Sequence, residues 1–442
     1  MRVAIITAGG AGMYCGSCLH DNGWARGLIA RGVDASLIPT YTPIRVDGEN
    51  VSTDRVFLGG INVYLEVRAR WWRHAPGFLK RIVDKPWFIR AATRLSISND
   101  ASVLGDLTLA MLAGPSGPLR PAYSQLATFI ANDIRPDVVI LSNALLAGCL
   151  PQLREVFQGS VHCVLQGDDV FLDALTDTYR ERAIARVSEL AQGLDACFTH
   201  SAFYRNYMSR YLGIPTDRFR QLPLAIDTSA FETVTRSQLS HADQDQPRRP
   251  FTVGYFARIA PEKGLQHLIS AFGEFRQQHP GARLRIAGFC TAQHRSFLTQ
   301  QLQRAASWSG SVTYHGSPDN LSEKVSFLQE LDVLSVPTDF QEPKGIYVLE
   351  ALAAGVPVVQ PSHGAFPELI ESTGGGLLVP PLDPSALAHA WEQLAADPAQ
   401  RRQLSVTGRT AVLAKHSLSA LADATLNCLV ELNTKKSTTN PL

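Results

Sequence analysis

Short apolar runs separated by helical stretches recur along this chain, stop at a polar segment, and then start again. Val3 to Thr7, Ala35 to Pro39, Val138 to Leu141, Cys163 to Gln166 and Ala196 to His200 read as buried strands. Helical stretches such as Asn22 to Ala30 and Arg180 to Gln192 lie between them. Strands that are apolar throughout and alternate with helices imply a parallel sheet covered on both faces, a doubly wound α/β domain. After Asp227 the pattern loosens into Thr233 to Pro250, rich in Ser, Gln, Asp and Arg, which reads as a solvent-exposed connection. A second set of strands follows at Thr252 to Tyr255, Arg283 to Ala287, Val312 to His315, Val333 to Val336, Val356 to Val359 and Gly376 to Val379, with helices through Ala396. Two Rossmann-like domains are the expectation, each large enough to bury its own core in a chain of 442 residues.

Bulk composition excludes several partners. A formal charge of +1 gives no global reason to expect nucleic acid or an acidic partner. The longest apolar runs are shorter than the ~20 residues of a membrane helix, and the run Val3 to Ile6 meets glycines too early for a signal peptide. A cytoplasmic location is expected. The seven cysteines are scattered and odd in number, so structural disulfides are not expected, and Cys15-Gly-Ser-Cys18 reads as a reduced pair in a tight turn.

The chemistry concentrates between Asp339 and Gly355. Glu342 precedes a helix start at Gly345, Ile346 and Tyr347, and Glu350 sits about one turn inside that helix. Free amides at a helix start attract phosphate, and a side chain tilted toward the helix N-terminus lets Glu350 reach back to the loop. The arrangement suits a sugar nucleotide, with phosphate at the amides and hydroxyls at both carboxylates. Glutamates that merely support the helix dipole would explain Glu342 poorly and Glu350 hardly at all.

This segment resembles the E-x7-E signature of retaining glycosyltransferases of family 4. Gly254-Tyr-Phe-Ala-Arg258-Ile-Ala-Pro-Glu-Lys263-Gly264 is similar to the strand-end segment whose arginine and lysine grip the donor pyrophosphate in that family. Weaker likenesses lie in the glycine-rich first turn, in Leu222 to Asp227 and in Gly364 to Glu368. The resemblance implies a GT-B architecture, two Rossmann-like doubly wound domains with the active site in the cleft between them. The expected divisions are an acceptor-side domain over 1–228, a linker over 229–250 and a nucleotide-sugar domain over 251–414. A C-terminal helix over 415–433 would return to the N-terminal domain, with a tail over 434–442. Arg258, Lys263 and Glu342 are then the catalytic candidates, and Lys344, Gly345, Ile346 and Glu350 bind the donor. Solvated surface charges remain the plain reading of Arg258 and Lys263, but both follow a strand C-terminus, where open parallel sheets bind ligands.

The first turn, Gly9 to Gly16, lies where a dinucleotide fold places its phosphate loop. No acidic residue ends the second strand, where Thr40 and Tyr41 follow Pro39, so a nicotinamide site lacks its ribose anchor. By the resemblance Gly16 falls beside the donor phosphates; a tight turn without ligand is the other reading. Two histidines usual in the family are absent, one near Gln166-Gly-Asp168-Asp169 and one near Ser142-Asn143. Gln166, Asp168, Asp169 and Asn143 could supply the sugar contacts instead, or the carboxylates could only cap the next helix. Lys344 stands where an aromatic is commoner, and a cation there would face phosphate or an acidic sugar.

The resemblance implies a retaining transfer of a hexose-type sugar from a nucleotide-diphosphate donor to a glycan or lipid-linked hydroxyl. No metal or other cofactor is expected. A non-catalytic nucleotide-sugar-binding scaffold and a sugar-nucleotide epimerase of the same architecture are the alternatives. Arg68 to Arg94 carries eight Lys or Arg against one acidic residue, interleaved with Trp71, Trp72, Phe78, Trp87 and Phe88. This composition fits peripheral contact with an anionic inner-membrane surface, or a solvated basic face over ordinary helices. The two separate in a sedimentation assay. Contact with membrane predicts binding to anionic vesicles at low salt, release by added salt, and weakening by Trp71→Ala/Trp72→Ala. Equal binding to neutral vesicles, or none, would leave the solvated face.

Overall fold

The computed structural model describes residues 1–9, 16–57, 101–232, 249–308 and 310–439. The basic and aromatic segment 68–94, most of the glycine-rich turn including Cys15, and most of the polar connection lie outside the described residues. The chain divides into two compact units, one of residues 1–222 and 421–442, the other of residues 223–420.

Each unit holds one six-stranded sheet in which every pairing is parallel. In the first, β1 (Arg2–Thr7), β2 (Asp34–Pro39), β3 (Val138–Leu141), β4 (Ser160–Val164), β5 (Ala196–Thr199) and β6 (Phe219–Gln221) take the order β2-β1-β3-β4-β5-β6. Val3, Ile5 and the whole of β3 are buried, as expected of strands covered on both faces. The helix Leu418–Thr439 belongs to this unit through residues 421 onward: Trp24 donates from its indole Nε1 to Thr425 Oγ1 at 2.9 Å, and Arg31 makes a two-pronged bond to Asp423.

The second sheet comprises β7 (Thr252–Phe256), β8 (Arg283–Ala287), β9 (Val312–Tyr314), β10 (Val333–Leu334), β11 (Val358–Pro361) and β12 (Gly376–Val379). Its order is β12-β11-β10-β7-β8-β9, which numbered within the sheet is the 3-2-1-4-5-6 arrangement of dinucleotide-binding domains. The helices Leu265–Gln278 and Pro384–Ala396 supply Phe275 and Trp391, whose rings meet edge to face, and Trp391 Nε1 bonds Ser335 Oγ at 3.0 Å. No helix among the described residues is long and apolar enough to cross a membrane.

Several boundaries differ from the sequence reading, each for a local reason. The first helix spans Gly16–Ala30, well before Asn22, because polar His20, Asp21 and Asn22 are buried within it. The fourth strand is Ser160–Val164, not Cys163 to Gln166: buried His162 lies inside the strand, whereas apolar Leu165 lies beyond it. Val356 is buried ahead of β11 rather than in it. The polar connection begins with a short helix, Ser229–Glu232, and the last helix continues past 433 to Thr439. Among the described residues six cysteines, Cys18 and Cys163 included, are free thiols.

In both sheets the strand order reverses beside the first strand, between β1 and β3 and between β7 and β10. Loops leaving the C-terminal ends of such strand pairs diverge to opposite faces and leave a crevice for ligand. In the second unit the loops are cinched together. Asp339 N donates to Glu262 O at 3.0 Å, and Ala365 N to Glu342 O at 2.8 Å, joining the segments that follow β7, β10 and β11. Gly264 has φ +75°, and a Cβ there would lie 1.7 Å from Pro337 O. Gly264→Ala should therefore lower stability by about 1–3 kcal/mol from backbone strain, before the clash is added. Gly281→Ala, with nothing within 4 Å of the added carbon, should be near neutral. Denaturant unfolding that ranks the two variants equally would contradict the tight packing of this loop.

Candidate active site

The turn after β7 delivers two cations. Tyr255, buried in the strand, donates its hydroxyl to Arg258 O at 3.3 Å, and Ile259 N bonds Phe289 O at 2.9 Å, so the turn is pinned to the loop after β8. Arg258 is the more open of the two, its side chain 42 % exposed and paired with Glu262 four residues on. Such an exposed pair contributes little to stability. Lys263, half-buried, lies against the loop after β10. Its Nζ donates to Glu342 Oε2 at 2.6 Å and lies over the Phe340 ring at 4.7 Å.

Glu342 is the centre of this arrangement. Its carboxylate also accepts the Tyr347 hydroxyl at 3.0 Å. Burial alone would push its pKa up; the Lys263 charge and hydrogen bond, the Tyr347 hydroxyl and the Lys344 charge together hold it below the ordinary carboxylate value. Burial, reinforced by the Glu342 charge, raises Tyr347 well above a normal phenol, so its hydroxyl remains a donor. Lys344 is itself buried. Gly345 takes φ +76° as N-cap of the helix Ile346–Ala353, whose first amides, at Ile346 and Tyr347, begin the turn that lacks intrahelical acceptors.

Glu350, one turn into that helix, is buried and accepts from Lys324 Nζ at 2.7 Å. The sequence reading did not single out Lys324. A signal was present: Leu321, Lys324, Val325 and Leu328 fall at the i, i+3, i+4, i+7 spacing of a helix stripe, three of them buried, so the lysine lies on the core face. Both glutamates are thus held by a lysine from another element.

The polar residues expected on the N-terminal side also gather at a sheet reversal. Thr7 Oγ1, at the end of β1, donates to Asp21 Oδ2 at 2.7 Å. Gln166 Nε2 donates to Asp21 Oδ1 at 3.1 Å and to Ser142 O at 2.9 Å. Asp21, wholly buried, was not among the sequence candidates. Asn143 accepts from Leu146 N at 3.2 Å and caps the short helix Ala144–Cys149. Asp168 accepts from Ala144 N at 2.5 Å and Gln166 N at 2.9 Å, tying two strand-end loops rather than capping its own helix. Burial lifts its pKa to about 6 against those two amides. Tyr204 OH donates to Asp169 Oδ1 at 2.5 Å and accepts the amides of Gly167 and Asp168. Gly16 opens the first helix on the surface.

Residues 237–411, less than half of the chain, match the family described as glycosyl transferases group 1. Over 187 residues the chain is 30 % identical to a glycogen synthase of Mycobacterium tuberculosis, covering 40 % of this chain and 43 % of that protein. The chain therefore spans less than half of that relative's length. Among solved structures, the sucrose-phosphate synthase of Thermosynechococcus elongatus superposes with a TM-score of 0.71 at 19 % identity, covering 98 % of this chain and 100 % of that one. Anabaena Alr3699/HepE, solved in complex with UDP, superposes at 0.67 and 14 % identity over 98 % and 100 % of the two chains. These likenesses show the fold, two Rossmann-like units of the GT-B architecture.

The Lys263–Glu342 pair makes a stability prediction with a definite sign. A carboxylate whose folded pKa is lowered contributes stability that is full above its unfolded value, 4.5, and is lost as pH falls through the lowered one. Lys263→Met, which takes from buried Glu342 its closest cation, should cost about 3–5 kcal/mol at neutral pH. Lys263→Met/Glu342→Leu should recover much of that and show a shallower acid loss than the wild type. Thermal unfolding followed from pH 7 to pH 3 measures both; identical acid profiles would mean the pair carries no such linkage.

Proposed function

We propose that this chain is a glycosyltransferase that moves a hexose-type sugar from a nucleotide-diphosphate donor to an acceptor hydroxyl, with retention at the anomeric carbon and without a metal. The observation that carries this reading is the bond from Lys263 to Glu342 at the reversal between β7 and β10, with Arg258 on the same turn as Lys263 and the helix Ile346–Ala353 opening shortly after Glu342. The match of residues 237–411 to glycosyl transferases group 1 supports it, and so does UDP in the Anabaena structure.

Each group has a task in that reaction. As the bond to the sugar breaks, negative charge grows on the departing diphosphate, and fixed cations and amides stabilise it more than they stabilise the bound donor. An ammonium has three donors, and Glu342 engages one of Lys263's, which leaves the others for phosphate oxygens. Arg258 adds an exposed guanidinium. Glu342, kept anionic by its neighbours, accepts sugar hydroxyls or faces the positive charge developing on the ring. Glu350 accepts the ribose hydroxyls, and Lys344 adds positive charge on the phosphate side. Gln166, Asn143 and Asp168 shape the N-terminal loops and with Gly16 remain candidates for contacts to the sugar and phosphates.

The test is incubation with a panel of nucleotide sugars and acceptors, UDP-sugars first, followed by mass spectrometry. Transferred sugar, undiminished by EDTA, is the expected result. Binding without turnover, or isomerised donor, would replace the transferase with a scaffold or an epimerase. Because Lys263 also holds Glu342, Arg258→Ala is the cleaner probe of charge stabilisation and should slow turnover roughly a hundredfold with little loss of donor binding. Glu342→Gln should abolish transfer yet spare affinity for the free nucleoside diphosphate. Glu350→Gln should weaken that affinity by about 1.5–3 kcal/mol. Full activity in the Arg258 and Glu342 variants would overturn the assignment.

A further inference from the structure

Lys324 is a buried ammonium that the reaction as written does not use. Its side chain is 8 % exposed and that of Glu350 is 9 % exposed, with Nζ 2.7 Å from Oε1. The lysine comes from the helix Leu321–Gln329, and its Nζ lies 5.9 Å from the centre of the Phe256 ring at the end of β7. The Phe256 and Phe327 rings lie 6.0 Å apart, and His315, just after β9, meets Phe327 edge to face.

Burying an ammonium and a carboxylate together costs several kcal/mol of desolvation, and apolar residues of similar volume often stabilise a fold at least as well. Stability is therefore a weak reason for this pair, and its place beside the donor site suggests another. A carboxylate that accepts two ribose hydroxyls must hold one rotamer, and among the described residues the side-chain bond to Glu350 comes from Lys324, on another helix. The lysine bond fixes it. An ionised carboxylate has about four acceptor positions, so one bond to Lys324 leaves room for the sugar of the nucleotide.

We propose that Lys324 is a positioning residue for the nucleotide subsite, orienting Glu350 and balancing its charge so that the ribose 2′ and 3′ hydroxyls are read. The proposal rests on the assignment of Glu350 to the ribose. It predicts that Lys324 contributes to nucleotide affinity only through ribose hydroxyls.

Calorimetry on the full chain tests this with UDP, ADP and GDP and with the 2′,3′-dideoxy form of each. Wild-type protein should bind at least one ribonucleotide roughly tenfold or more tighter than its dideoxy form, the size of one charged hydrogen bond. Lys324→Met should weaken the ribonucleotide by about the same factor and leave the dideoxy form unchanged, and Lys324→Arg should restore part of the loss. Equal losses for both forms, or no loss for either, would overturn the proposal. Lys324→Met/Glu350→Gln should bind no more weakly than Glu350→Gln alone, a comparison that still decides if Lys324→Met does not fold. A further loss in the double variant would overturn the positioning role. Wild-type protein that binds a ribonucleotide and its dideoxy form equally would overturn the ribose assignment itself, and this proposal with it.

Discussion

The bond from Lys263 to Glu342 is the constraint around which the second unit is arranged. A buried carboxylate is unfavourable without a cation, and the only way to bring this cation to it is to bring two strand-end loops together. The tight turn at Gly264, the backbone bond from Asp339 to Glu262 and the packing of Phe340 under the lysine all serve that approach. The same approach fixes a cation, an anion and a row of helix amides within one small region. Preorganised charge is what a leaving diphosphate requires, so an interaction that costs the fold desolvation has a chemical use in the proposed reaction.

Topology explains why the charges gather where they do. In a parallel sheet every strand ends on the same side, and where the order reverses, the connections on either side leave for opposite faces. β7 and β10 form such a reversal in one unit and β1 and β3 in the other. The polar cluster of Thr7, Asp21, Ser142 and Gln166 and the charged cluster of Lys263 and Glu342 are thus equivalent places in two similar sheets. One is closed by internal hydrogen bonds among its own side chains. The other is built on the ion pair of Lys263 and Glu342.

Much of this was legible in the sequence, because apolar runs covered on both faces have few alternatives. Val138 to Leu141, Arg283 to Ala287 and Gly376 to Val379 are strands at the residues where they were read. Reading failed where burial and apolarity part company. His20, Asp21 and Asn22 are buried polar residues in a helix, so the helix start was placed too late; Leu165 and Val356 are buried apolar residues in loops, so two strands were displaced. The E-x7-E spacing located both glutamates because it is local. Their lysine partners lie 79 and 26 residues away in the chain, and only the fold makes them neighbours. Lys324 was visible only as a charge on an apolar stripe, a pattern with many ordinary explanations.

The two lysine–glutamate pairs differ in a way that suits different tasks. Lys263 is 15 % exposed and rests on an aromatic face, so its remaining donors can turn toward a ligand that arrives with negative charge. Lys324 is more deeply enclosed, set among buried apolar residues of its own helix, and its stem has little freedom to follow a ligand. A cation that must meet growing charge benefits from access, whereas one that orients a neighbouring carboxylate benefits from confinement. Lys344, buried on the Glu342 side, adds a further positive charge there and helps hold that carboxylate in its anionic form. Positive charge is therefore concentrated on the Glu342 side of the cluster. Toward Glu350, the described side chains supply one enclosed lysine and the aromatic rings of Phe256 and Phe327, surroundings better matched to a nucleoside than to its phosphates.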